Sequence, residues 1–374
     1  MDIKNPERLE QLKQLLPGLR SRNLCLAYDI DADGMSSGYL IKRAFEKMGL
    51  GFRLELTDIA RMNLFSEENR KKILDEGIDY VVATDIAFAA LGLLPAKDIL
   101  SKKGVKFLVF DHHEYNPSMQ SSDFLLIHPI DMFGDEHSTM CASKLVYDIL
   151  GQFVPLSDYE WAKGVGMIGD MNFIKYADEL QAIMAKYEGK KQEIKSAQDY
   201  YKTRIGNITQ LVNFAMATGN TSSVKEMFKA YSESGTINSL EKKLATMDVA
   251  GIRKEIEFYS ANFEELSDKK EGIYLLEIKS QYKLGSMVST IISQTMPDHT
   301  FIVYEKLKNN RYIISARRQD NIYSMRDLLK MSINGMNDAN GGGHVPAAGA
   351  SIMAEDWETF KSNLIKYHEK SRVI

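Results

Sequence analysis

Up to Ile127, five short apolar runs alternate with stretches of helical spacing, and this alternation restricts the fold more than any other feature of the chain. The runs are Leu24 to Tyr28, Phe52 to Leu56, Tyr80 to Thr84, Phe107 to Phe110 and Phe124 to Ile127. Between them lie MSSGYLIKRAFEKMG, SEENRKKILDEG and LPAKDILSKKG, each ending in Gly, the residue that most readily closes a helix. Short strands joined through helices pair in parallel, so the pattern predicts an α/β fold with a doubly wound parallel sheet.

The pattern changes further on. From about Tyr176 to Phe263 the chain reads as long polar helices that complete the first domain and continue as a helical connector, their charge runs being solvated faces. Strand signals return at GIYLLEI (272–278), HTFIVYEKL (299–307) and RYIISARR (311–318), the last two forming a hairpin about Lys308, Asn309 and Asn310. Helical patterns at LGSMVSTIISQTM, SMRDLLKMSIN and EDWETFKSNLIKYHEK accompany them, which predicts a smaller α/β domain from about residue 270. A length of 374 residues accommodates two such domains, each with its own core.

No apolar run reaches the roughly 20 residues needed to span a bilayer, and MDIKNPERLEQLKQLLPGLRSR lacks the apolar stretch of a secretory signal. No membrane association and a cytoplasmic location are therefore expected. Cys25 and Cys141 sit among apolar residues and read as buried thiols. The net charge of −4 argues against a broad, sequence-independent grip on a nucleic-acid backbone but leaves room for a short nucleotide substrate.

Ligands of open parallel sheets bind beyond the carboxyl ends of the strands, and three of the predicted strands run into acids there. The first leads into Asp29, Asp31 and Asp33, the third into Asp85, and the fourth into Asp111-His112-His113; Asp170 follows GVGMIG. Singly, each acid is a common turn or helix-cap residue. Together they gather about six carboxylates and two imidazoles, an arrangement that cations must neutralise. Oxygen-rich ligation with imidazole and no thiolate suits Mn²⁺ or Mg²⁺. Two ions sharing a carboxylate suit phosphoryl chemistry, with a metal-bound hydroxide as nucleophile.

DIDADG, the Asp85 of VVATDIA, FDHHE and the Asp170 of GMIGD resemble, in order, the four motifs of the DHH phosphoesterase family, and SARR (315–318) with GGGHVPAAGAS (341–351) resembles its DHHA1 domain. The resemblance implies a DHH catalytic domain over 1–200, a helical connector over 201–268 and a DHHA1 substrate-binding domain over 269–374. It implies Asp31, Asp33, Asp85, His112 and Asp170 as principal metal ligands, with Asp85 bridging two Mn²⁺ ions (or Mg²⁺) and Asp29 as an extra ligand. Many family members open the first motif with His. Asp29 stands there instead, as in RecJ-type exonucleases. His113 would face the scissile phosphate, and Asp111 would either ligate a metal or orient a neighbouring histidine.

In the second domain, Gly341, Gly342 and Gly343 would let the backbone approach a phosphate, and Arg317 with His344 would supply charge-assisted hydrogen bonds. The alternative for this segment is a Gly-rich turn beside a buried histidine. Arg318, one residue along an alternating strand, points away. His128, His299 and His368 lack neighbours that would make them ligands, while His137 in FGDEHST is a minor candidate for lining the site.

The family includes RecJ-type exonucleases, nanoRNases and cyclic-dinucleotide phosphodiesterases. The first motif favours the RecJ-like branch, and the chain leaves no room after residue 370 for the OB-type module of bacterial RecJ. The expected activity is hydrolysis of single-stranded DNA or RNA, as short oligonucleotides, from an end. The alternatives are a cyclic-dinucleotide phosphodiesterase, a small phosphoanhydride or phosphomonoester hydrolase, and an inactive scaffold in replication or repair. A homodimer and replication or repair partners are left open.

Overall fold

A computed structural model describes residues 3–135, 139–189, 193–246 and 249–371. His137 lies outside the described residues. The chain divides into two compact units, one of residues 1–216 and 220–247, the other of 217–219 and 248–374.

The first unit is built on five parallel strands: β1 (Leu24–Tyr28), β2 (Phe52–Leu56), β3 (Tyr80–Thr84), β4 (Lys106–Phe110) and β5 (Phe124–Ile127). All five predicted strands are present, with β4 starting one residue earlier than its apolar run. The strands alternate between two cores, as a pleated strand must. Cys25, Ala27, Val81, Ala83, Phe107 and Val109 face one core, and Leu24, Leu26, Tyr28, Val82, Leu108 and Phe110 face the other.

Helices α1 (Pro6–Gly18) and α2 (Ala32–Lys47) bury their apolar residues in the second of these cores, α3 (Glu67–Asp75) and α4 (Leu94–Ser101) in the first. Gly49, Gly77 and Gly104, which close the three predicted helices, all have positive φ. Beyond β5 come α5 (Pro129–Phe133), α6 (Ala142–Leu150), α7 (Glu160–Gly169) and α8 (Ala177–Glu188). After them follow α9 (Ala197–Tyr201), α10 (Arg204–Ala217), α11 (Thr221–Ser232) and α12 (Ile237–Leu244), whose buried Ile205, Ile208, Phe228 and Leu240 belong to the same core as α2. Both cysteines are buried thiols.

Sheet order is β2-β1-β3-β4-β5. The order reverses direction between β1 and β3, which opens a crevice at their carboxyl ends. Asp29, Asp31 and Asp33 follow one of these strands and Asp85 the other.

The second unit begins with α13 (Ala250–Ala261) and α14 (Phe263–Leu266) and contains a six-stranded mixed sheet in the order β10-β11-β9-β8-β7-β6. Its strands are β6 (Ser267–Lys270), β7 (Ile273–Ile278), β8 (Thr300–Lys306), β9 (Arg311–Arg317), β10 (Asn340–Gly343) and β11 (Ala347–Met353). Only β7 and β8, joined through α15 (Gly285–Thr295), pair in parallel. β8 and β9 form the predicted hairpin. Helices α16 (Met325–Ser332) and α17 (Trp357–Ser371) pack on Ile273, Ile302, Ile314 and Ile352.

Three strands escaped the sequence reading. β6, SDKK, carries no apolar pattern because it is an exposed edge. β10 and β11, NGGG and AAGASIM, are made largely of Gly and Ala. The triple glycine is therefore not a turn but an edge strand paired with Ala348, Gly349 and Ala350, and His344 beyond it is exposed.

Candidate metal centre

The end of β1 sets the first three carboxylates by turn geometry. Asp31 is the N-cap of α2, its Oδ1 accepting from the backbone N–H of Asp33 (3.1 Å) and Gly34 (3.0 Å). This bond starts the helix one residue later and places Asp33 in its first turn, buried. Gly34 is required by crowding, since a Cβ there would stand 2.6 Å from the Cβ and carbonyl oxygen of Asp29.

Asp33 is fixed from a second direction. Its Oδ2 accepts from the N–H of Ala142 (2.6 Å) and its Oδ1 from that of Ser143 (2.9 Å), the first residues of α6. A carboxylate at a helix N-terminus satisfies amides that have no partner within the helix. The glycines of GVGMIG have their explanation here: a Cβ on Gly166 would lie 2.5 Å from Asp33 Oδ1, and one on Gly169 would lie 2.8 Å from Ala32 Cβ. α7 thus comes close enough to α2 to present Asp170, at its C-cap, beside the other acids.

Asp85 follows β3 with φ 58°, a left-handed backbone that Asp tolerates better than most residues. Its N–H donates to Phe110 O (2.9 Å), which ties the ends of β3 and β4 together. Asp111, His112 and His113 leave β4 in turn. His112 Nε2 lies 3.2 Å from both Asp85 Oδ1 and Asp170 Oδ2, and His113 Nδ1 lies 2.7 Å from Asp111 Oδ1.

Among the described residues, three groups of side chains bring potential ligand atoms within 4.8 Å of one another: Asp85, His112 and His113; Asp33, His112 and Asp170; and Asp29, Asp31 and Asp85. Asp85 and His112 each belong to two of these groups. Asp111 belongs to none of them, and its carboxylate instead orients the ring of His113.

Electrostatics agree with a site short of positive charge. Burial drives the Asp85 carboxyl well above its ordinary range, and Asp31 and Asp33 push it further. Burial, partly offset by His112, raises Asp170 to about 7. Burial also raises Asp33, and it raises Asp29 to about 6 despite the Arg61 guanidinium. His113 is raised to about 9: burial alone would lower it, but Asp111 outweighs that.

Asp85 Oδ1 also accepts no hydrogen bond although it is buried. His112 Nε2 is near enough for an ion pair, but without hydrogen-bond geometry, so this oxygen is electrostatically crowded and unsatisfied. Buried, unsatisfied carboxylate oxygen with imidazole beside it fits a hard divalent cation.

Two participants carried no signal in the sequence. Arg61, on the turn after β2, forks onto Asp29 (Nε to Oδ1 and Nη2 to Oδ2, both 2.6 Å) and reaches Asp31 Oδ2 at 2.9 Å. His128 donates from Nε2 to His113 O (2.9 Å), while its Nδ1 accepts from Ile130 N–H (3.2 Å). A single Arg in TDIARMN and a single His after β5 have many ordinary uses, and only the folded chain brings them to the site.

The candidate phosphate-binding residues lie in the second unit. Arg317 Nε and Nη2 donate to Thr290 Oγ1 (3.2 Å) and Ser286 Oγ (3.0 Å). Arg318 is buried and committed to Asp320 and Thr300, as its place on the opposite face predicts. A separate hollow of about 500 Å³, lined by Arg8, Tyr80, Lys106 and Asp123 among others, shares no residue with the acidic cluster.

A parallel sheet with acids at its switch point is followed along the chain by a smaller mixed-sheet unit. Residues 272–370 match the family model of the DHHA1 domain. No curated protein matches the chain by sequence. Among solved structures, it is similar to RecJ in complex with Mn²⁺ from Thermus thermophilus, with 16% identity and a TM-score of 0.67. That match covers 99% of this chain but only 55% of the RecJ chain. An exonuclease RecJ bound to manganese matches at 16% identity and TM-score 0.65, over 98% of this chain and 95% of that one. An exopolyphosphatase-related protein from Bacteroides fragilis matches at 12% and 0.56, over 99% and 98%. No described helix is long and apolar enough to cross a membrane.

Proposed function

We propose that this chain is a two-metal-dependent phosphodiesterase that hydrolyses single-stranded or short oligonucleotides from an end. The observation that carries the reading is the linkage of three ligand groups through Asp85 and His112, which suits two cations sharing a carboxylate. Asp29, Asp31, Asp33, Asp85, His112 and Asp170 would hold them, as Mn²⁺ or Mg²⁺. Bound there, divalent cations would supply acidified water and charge stabilisation for a displacement at phosphorus.

The chain's own contribution begins with position. Asp33, braced by two backbone amides, and Asp31, braced by two more, are held before any ligand arrives. In the metal-free chain Asp111 raises His113 to about 9 against the effect of burial, and His113 would donate a hydrogen bond to a phosphate oxygen or a proton to the leaving oxygen. In the second unit, Arg317 and His344 would contact substrate phosphate, with the Gly341–Gly343 backbone admitting it closely. The near-neutral charge supports a short or end-bound substrate over a long one, and the likeness to exonuclease RecJ supports nucleic acid as its class.

Labelled single-stranded DNA and RNA oligonucleotides of several lengths, incubated with Mn²⁺ or Mg²⁺, test this directly. Release of mononucleotides, abolished by Asp111→Ala with His112→Ala, is the expected result. Cleavage of cyclic dinucleotides alone, or phosphate release from pyrophosphate or polyphosphate alone, would transfer the same chemistry to another substrate. Inactivity on all of them would leave the scaffold reading.

A further inference from the structure

We infer that Arg61 is a resident counter-cation that occupies the Asp29–Asp31 half of the centre, so that the second of two divalent cations binds only by displacing its guanidinium. The inference rests on the metal-centre reading above and assigns the two cation positions unequal affinity.

Every acid in the Asp29, Asp31 and Asp85 group is buried or half-buried, and two of the three are taken by one side chain. Asp29 has both oxygens in the guanidinium fork. Asp31 gives Oδ2 to Arg61 and Oδ1 to the α2 backbone, which leaves neither oxygen uncommitted. A planar fork matched to a carboxylate is a stronger and more directional partner than a lysine ammonium would be. The Asp33, His112 and Asp170 group is held differently: Asp33 by two backbone amides of α6, and Asp170 by its pairing with His112.

The place of Arg61 in the chain suits displacement. It lies on a three-residue turn, Arg61–Asn63, outside the sheet, and its side chain is 38% exposed. Its neighbour Met62 is 59% exposed. A long, partly solvated side chain can swing away without disturbing either core of the first unit. Asp29 extends the acidic group next to Arg61, and the pair partly cancels in charge.

Isothermal titration of the metal-free full chain with Mn²⁺, with free Mn²⁺ followed by its EPR signal, reads both affinities without reference to activity. Wild type should take up two ions with clearly separated constants. Arg61→Gln removes the competitor and should tighten the weaker site by roughly tenfold or more, leaving the tighter one nearly unchanged. Arg61→Lys keeps the charge but loses the fork, and its weaker constant should fall between the two. If Arg61→Gln does not fold, the Lys variant carries the comparison alone. An unchanged or weakened second site in the variants overturns the role of Arg61 while leaving the metal centre intact. No Mn²⁺ uptake by wild type overturns the centre itself.

Discussion

His128 shows how a residue with no ligand role can govern a site. Both of its ring nitrogens are committed, Nε2 to the carbonyl of His113 and Nδ1 to the N–H of Ile130. Burial holds its pKa below the ordinary value, consistent with a neutral ring whose proton sits on Nε2. Its removal frees the main chain that leaves His113. His128→Ala is expected to weaken Mn²⁺ binding or turnover by about 10–100-fold, the usual effect of losing an orienting contact at a metal site. The stability loss should stay at about 1–3 kcal/mol, because the His113 carbonyl and the Ile130 N–H both lose a partner but sit in half-buried residues. Metal titration alongside thermal melting separates the two, and a variant that loses stability but keeps metal affinity would show His128 to be a core residue only.

At the scale of elements, the centre depends on how closely α7 approaches α2. Gly166→Ala would force its Cβ into Ser143 Oγ and Asp33 Oδ1, the carboxylate that also binds the start of α6. The substitution should cost on the order of 1–3 kcal/mol of stability by overpacking and weaken metal binding more than Gly164→Ala, whose Cβ would meet only Ile183 and Ile205 side chains at 3.1–3.4 Å. Equal metal affinity in the two variants would argue that the helix spacing does not set Asp33.

This also marks what the sequence could convey. Four of the five strands were legible as apolar runs buried on nearly every residue and β2, FRLEL, as an edge strand whose apolar residues alternate with charged ones, and the acids because they stand at the strands' carboxyl ends. The glycines of GVGMIG were visible as punctuation, but their use, room for two other elements, depends on packing. β6, β10 and β11 were missed because an exposed edge and a Gly/Ala strand carry no hydrophobic period. Arg61 and His128 were missed because contacts from separate loops leave no spacing to read.

At the scale of the whole molecule, the centre makes stability depend on pH and metal together. In the metal-free chain Asp29 and Asp170 are raised by burial to about 6 and about 7, and His113 to about 9 by Asp111 against the opposing effect of burial. Each binds its proton more tightly folded than unfolded, so the folded state holds more protons between about pH 4 and 9 and stability falls as pH rises through that window. Asp31 and Asp111 run the other way. Burial raises both, but Arg61, the Gly34 amide and their neighbours together outweigh it for Asp31, and His113 with the other nearby histidines for Asp111, so their contribution is lost only as pH falls below the ordinary carboxylate range. Melting curves without metal should therefore be highest near pH 5 and decline toward pH 9. Saturating Mn²⁺ should flatten or reverse the decline, because metal favours the deprotonated ligands. A metal-free profile that rises from pH 5 to 9 would show that the acids are not crowded as described.

Asp85 concentrates these costs in one residue: it combines a left-handed backbone, burial and three like-charged neighbours, with no hydrogen bond to Oδ1. Glycine accepts such a φ freely and removes the charge. Heat resistance and metal affinity should then pull against each other at this position. A library of variants selected only for survival of heating, in chelator, should be enriched in Asp85→Gly, and the enriched chains should have lost Mn²⁺ uptake. Selection in the presence of Mn²⁺ should return the aspartate.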